Sequence, residues 1–120
     1  MKIVLGVSGS IAAYKAVVLV RELQQRGAEV RVVMTPAAAR FVAPLTFGTL
    51  CRTPAVLDLW DPASHWAQHV HLGKWADALV VAPATAHTLA KMAHGLCEDA
   101  LGAVYLSAAC PVFVAPAMDL

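Results

Sequence analysis

Five histidines are the side chains of this 120-residue sequence best suited to chemistry near neutral pH, and three of them crowd together as His65, His69 and His71. Imidazole is the group whose proton moves near pH 7, so the cluster points to acid–base work. In "HVH" the two rings stand at i and i+2, on one face if the chain is extended, which also raises a metal site. No third ligand is spaced nearby, so no metal is assigned and acid–base chemistry is the better-supported role. His94, beside Gly95, reads as a solvated residue complementing a helix C-terminus.

A second kind of chemistry is written where strands give way to helices. Gly6, Gly9 and Ser10 in "GVSGS" allow close backbone approach, and a helix N-terminus there offers amides to an anion. The spacing is not G-x-G-x-x-G, so the dinucleotide signature is absent, and a tight turn and a phosphate loop fit equally well. Thr35 and Thr85 each stand at a similar junction. A threonine there serves as a helix cap or as an anchor for an anion or carbonyl. Trp60, Trp66 and Trp75 are able to stack on a planar ligand, with packing the safer reading for Trp75.

The elements that must position these residues follow from periodicity. Apolar runs at 2–8, 76–84 and 111–116 read as buried strands and the alternating 28–34 as another, with a short strand near 55–57. A well-covered helix is expected over 10–27, carrying Ile11, Tyr14, Val18 and Leu19 and stopped by Gly27. Further helices are expected from Pro36 through Val42, over 44–50, over 85–96 behind a Thr85 cap, and over 99–109. The remainder of 43–68 reads as loop. Alternating strands and helices imply an α/β fold, a parallel sheet with helices on both faces. All four strand ends, "GVSGS", "VMTPA", "VAPAT" and "VAPAMD", then face one crevice, where such sheets bind ligands.

Composition narrows the function classes. Nine Lys and Arg against eight Asp and Glu leave a formal charge of +1, no field to recruit nucleic acid or an anionic membrane. Cys51, Cys97 and Cys110 are odd in number and lack C-x-x-C spacing, which reads as buried thiols in a reducing compartment. The N-terminus lacks the pattern of a signal peptide and no apolar run approaches the ~20 residues of a membrane span, so a cytoplasmic protein is expected. With 59% hydrophobic and only 14% charged residues, part of the surface is expected to be covered by other subunits.

Three segments in order, "GVSGSIAAYK" (6–15), "HVHLGKWADALVVAPATAHTLAKMAHGLCEDAL" (69–101) and "PVFVAPAMD" (111–119), resemble the homo-oligomeric flavin-containing cysteine decarboxylases. The resemblance covers nearly the whole chain and is nearest to the branch acting on phosphopantothenoylcysteine, the flavoprotein half of a bacterial coenzyme A enzyme. It implies a Rossmann-like, flavodoxin-like three-layer sandwich over residues 1–120 that holds FMN. The implied cofactor contacts are Gly9, Ser10 and Ile11, then Thr35, then Pro83, Ala84, Thr85 and Ala86, and finally Ala117. The family's essential histidine falls on His69, and Asp119 takes the place of the asparagine that holds the substrate carboxylate. His87 likewise stands where the family usually has asparagine.

The chemistry so implied is oxidation of the substrate's cysteine thiol to a thioaldehyde, loss of CO2 into that electron sink, and re-reduction to 4'-phosphopantetheine. Peptidyl-cysteine decarboxylation and a non-catalytic FMN-binding regulatory subunit are the alternatives on the same scaffold. The resemblance further implies a trimer or dodecamer with flavin at a subunit boundary, and a substrate flap that the family carries beyond the segment present here.

Overall fold

The computed structural model describes residues 1–61 and 68–118. Four strands, β1 (Lys2–Val7), β2 (Glu29–Met34), β3 (Ala78–Ala84) and β4 (Val112–Pro116), form one parallel sheet in the order β2-β1-β3-β4. β1 pairs on one side from Lys2↔Glu29 to Val7↔Met34 and on the other from Ile3↔Ala78 to Gly6↔Val81. The 55–57 expectation is met by a single parallel bridge, Val33↔Val56.

Helices lie on both faces, as expected, and number five among the described residues: α1 (Ala13–Gln25), α2 (Pro44–Cys51), α3 (Gln68–Trp75), which was not expected, α4 (Ala86–His94) and α5 (Ala100–Ser107). Because strand side chains alternate, β1 sends Val4 to one core and Leu5 and Val7 to the other. Val4, Val33, Leu79 and Val81 pack under Leu72, Leu101 and Val104 of α3 and α5. Leu5, Val7, Val32 and Met34 pack under Ala13, Ala16, Val20 and Phe47 of α1 and α2. The three-layer sandwich therefore has two separate apolar cores.

Chain reversals follow local chemistry. Gly27 takes φ +88° and donates to Gln24 O at 3.0 Å while Ala28 donates to Leu23 O at 3.0 Å, a glycine stop to α1. Gly95, at φ +68°, ends α4 in the same manner.

Several expectations are corrected. The helix expected from Pro36 shrinks to a 3₁₀ turn at Ala38–Arg40. Pro44 begins α2 and forces Ala43 into an extended conformation (φ −65°, ψ 137°), so no helix runs through it. "HVH" is not extended either but lies in α3. Residues two apart on a helix point about 200° apart, and accordingly His69 is half-buried while His71 is exposed.

α1 is covered on a different face from the one expected, burying Ala13, Ala16 and Val20 and leaving Tyr14 and Val18 exposed. β4, at one edge of the sheet, is exposed along its whole length, unlike β2 at the other edge. The cysteines are not uniformly buried: Cys97 is exposed, and Cys51 and Cys110 are half-buried. Burial pushes the Cys51 thiol above its usual range.

Trp75 does pack at the edge of the α3–α5 core, with the Arg31 guanidinium 4.4 Å from its ring centroid. Trp60 is exposed, and His65 and Trp66 lie outside the described residues.

α3 and α5 approach closely at Gly73, where a Cβ would fall 2.5 Å from the Ser107 carbonyl oxygen. Gly48 in α2 has ordinary space, its nearest such contact being 3.6 Å. Urea unfolding midpoints should separate the two sites. Gly73→Ala is expected to cost ~1–3 kcal/mol through overpacking. Gly48→Ala is expected to stabilise by ~0.5–1 kcal/mol, since alanine is the better helix former.

Candidate functional site

Parallel pairing puts the carboxyl ends of all four strands on one edge, and the chain leaves β1 towards β2 on one side and leaves β3 towards β4 on the other. The strand order reverses there, which opens a crevice beyond β1 and β3. It has two adjoining lobes that share Gly9, Thr85 and His87.

The first lobe, about 490 Å³, is lined by Gly9, Ser10, Ile11, Phe41, Thr85, Ala86, His87, Ala117 and Met118. Its floor is the β1–α1 turn. Ser10 Oγ accepts from Ala12 N at 3.1 Å and Ser10 O from Ala13 N at 2.9 Å, which winds the chain into α1. The Gly9 and Ile11 amides find no acceptor among the described residues. Opposite, Thr85 caps α4: its Oγ1 accepts from Thr88 N at 3.2 Å and its carbonyl from Leu89 N at 2.9 Å. The amides of Ala86 and His87, in the first turn of α4, likewise have no acceptor there. Ala117 N donates to Ala84 O at 3.0 Å, which holds the end of β4 beside β3.

The second lobe, about 380 Å³, runs from Gly9, Thr35, Pro36 and Ala37 across Thr85 and Thr88 to Lys91, Glu98 and Asp99. Thr35 is buried, donates its amide to Val7 O at 3.0 Å and accepts from Ala38 N at 3.2 Å through Oγ1. A Cβ on Gly9 would overlap the Ala37 side chain and come within 3.0 Å of its carbonyl carbon. Only glycine lets these two turns meet.

Lys91 Nζ and Asp99 Oδ2 pair at 2.7 Å, with side chains only 13% and 9% exposed. Asp99 also caps α5, its Oδ1 accepting from Gly102 N at 2.8 Å. One carboxylate thus ties α4 to α5 at the crevice wall.

Most of the expected site residues are brought together. Gly9, Ser10, Ile11, Thr85, Ala86 and Ala117 line the first lobe and Thr35 the second, while Pro83 and Ala84 are buried beneath them. His69 stands on the first turn of α3 and lines neither lobe. Asp119 lies outside the described residues.

Sequence reading passed over Ser8, which is fully buried and joins the two central strand ends. Its Oγ donates to Pro83 O and accepts from Thr85 N at 3.0 Å. It also passed over Lys91 and Asp99, for which the only local signal was an Asp at an N-cap position.

The Lys91–Asp99 tie yields a measurable expectation. Asp99→Ala leaves a nearly buried ammonium unpaired and α5 uncapped, and should lower unfolding free energy by ~3–5 kcal/mol. Asp99→Asn keeps an oxygen for the cap and should lose less in the same denaturation assay.

The family model described as "Flavoprotein" matches residues 1–120. The coenzyme A biosynthesis bifunctional protein CoaBC of Escherichia coli (strain K12) is 50% identical over 119 residues, covering 98% of this chain. The chain spans 29% of that relative's length. Among solved structures, the FMN-dependent cysteine decarboxylase SpaF superposes with TM-score 0.92 at 39% identity, over 99% of this chain and 69% of that one. A PPC decarboxylase mutant, C175S, complexed with pantothenoylaminoethenethiol superposes with TM-score 0.81 at 34% identity, over 98% and 67% of the two chains. The fold that carries the two-lobed crevice is thus similar to those of the two solved structures, and the chain belongs to the flavoprotein family.

Proposed function

We propose that this chain binds FMN in the crevice and decarboxylates 4'-phosphopantothenoylcysteine, a carboxy-lyase step of coenzyme A biosynthesis. The observation that carries the reading is the first lobe, where Gly9 and Ile11 present unpaired amides at the start of α1 and Ala86 and His87 do so at the start of α4. An anionic phosphate fits such amides through hydrogen bonds and the positive end of the helix dipole. The 490 Å³ of this lobe lies within the roughly 300–1,000 Å³ of small-molecule sites.

When bound, FMN supplies two-electron oxidation of the substrate thiol, which turns the bond to the carboxylate into one whose electrons have a sink. The chain's own residues position and protonate. Ser10 winds the turn so that the Gly9 and Ile11 amides are free to hold phosphate. Thr35 fixes the neighbouring turn, and Thr85, Ala86 and Ala117, with Pro83 and Ala84 buried beneath them, would form the wall for a planar ring. His69 serves as acid–base or positioning group beside the reacting carbon. By resemblance, Asp119 takes the place of the asparagine that holds the substrate carboxylate, and a carboxylate in that role would repel it unless one of the two is protonated or bridged.

His69 lines neither lobe of its own protomer, and this supports a site completed by a second copy. A homo-oligomer, trimer or dodecamer, is the assembly so proposed. The exposed apolar residues Ile11, Tyr14 and Val18, beside the crevice, supply a surface for it. A cytoplasmic location is proposed with it. No helix among the described residues is long and apolar enough to cross a membrane.

The test compares wild type with His69→Asn. Both should purify yellow with FMN, whereas CO2 release from 4'-phosphopantothenoylcysteine should fall at least a hundredfold in the variant, in line with loss of a general acid–base group. CO2 release only from a peptide ending in cysteine would reassign the substrate, and bound FMN without either turnover would favour a regulatory subunit.

A further inference from the structure

The ladder between β1 and β3 ends at Gly6↔Val81, yet the two strands remain tied beyond it. The tie is Ser8. Its amide donates to Pro83 O at 3.3 Å, its hydroxyl donates to the same carbonyl, and its Oγ accepts from Thr85 N at 3.0 Å. The side chain is wholly inaccessible to solvent, and Ser8 lines neither lobe of the crevice. With the hydroxyl proton committed to Pro83, the Oγ lone pairs are directed at the Thr85 amide. The Thr85 amide has no other acceptor among the described residues. An apolar side chain at Ser8 would leave that part-buried donor unsatisfied.

Thr85 in turn governs α4. Its Oγ1 and its carbonyl hold Thr88 N and Leu89 N, and the next two amides, Ala86 and His87, are those that open on the crevice. We infer that Ser8 is a positioning residue: by latching the Thr85 amide it fixes the direction of the Ala86 and His87 amides, and so acts on a bound ligand that it does not touch. The identity of that ligand as FMN rests on the reading above, while the latch itself does not.

Two readouts on Ser8→Ala separate these. The first is hydrogen exchange of the Thr85 amide in the protein without added ligand. The second is the FMN dissociation constant by quenching of flavin fluorescence. Exchange at Thr85 is expected to quicken at least tenfold while Val4 and Leu5 stay protected, and FMN binding is expected to weaken at least tenfold. Ser8→Cys, with a weaker hydrogen-bonding group of similar shape, should give intermediate values and serves if the alanine variant does not fold. Unchanged Thr85 exchange would overturn the latch. Faster exchange with an unchanged dissociation constant would overturn the positioning role. Wild type that binds no FMN would overturn the cofactor reading, with Thr85 exchange still deciding the latch.

Discussion

Parallel pairing of β1 on both of its edges is the constraint from which the rest of the molecule follows. The chain runs from β1 through α1 to β2 and then back past β1 to β3, so successive crossovers run in opposite directions along the sheet, and right-handed connections put α1 on one face and α3 on the other. α1, joined on its face by α2, covers Leu5 and Val7, and α3 and α5 cover Val4. The same branching sets the carboxyl ends of β1 and β3 side by side with nothing crossing between them, so the crevice is a product of topology before any side chain lines it.

Much of this was legible in the sequence because it was encoded locally. Apolar runs marked β1 and β3, alternation marked β2, Gly27 marked a helix end, and Thr85 marked a helix start. What escaped was encoded at long range. α3 has a weak apolar pattern and a glycine in its last turn; its helical form is matched to α5 through Gly73 lying against Ser107. The helix signalled at Pro36 is realised only as the 3₁₀ turn Ala38–Arg40. The buried stripe of α1 is built of Ala13, Ala16 and Val20, small residues that bring the helix close to the sheet, while the larger Tyr14 and Val18 stay outside.

The candidate site divides in the same way. Residues at turns, such as Gly9, Ser10 and Thr35, announce themselves through conformational chemistry, and the structure gathers them at one edge. Ser8 does not, because a serine at a strand end looks like turn punctuation until its partner, 75 residues away, is known. His69 is the converse case: its chemistry is plain from the sequence, but its own protomer does not carry it to the crevice. Ile11, exposed just before α1, lines that crevice and precedes the outward Tyr14 and Val18 of the helix, which connects the question of assembly to the question of catalysis.

The central claim is that the β1–α1 turn is the anion end of a flavin site. An experimental structure of the protein with FMN tests it most directly. The phosphate is expected within hydrogen-bonding distance of the Gly9 and Ile11 amides, with the ring system lying towards Thr85, Ala86 and Ala117. FMN bound elsewhere, or with its phosphate directed away from that turn, would contradict the account.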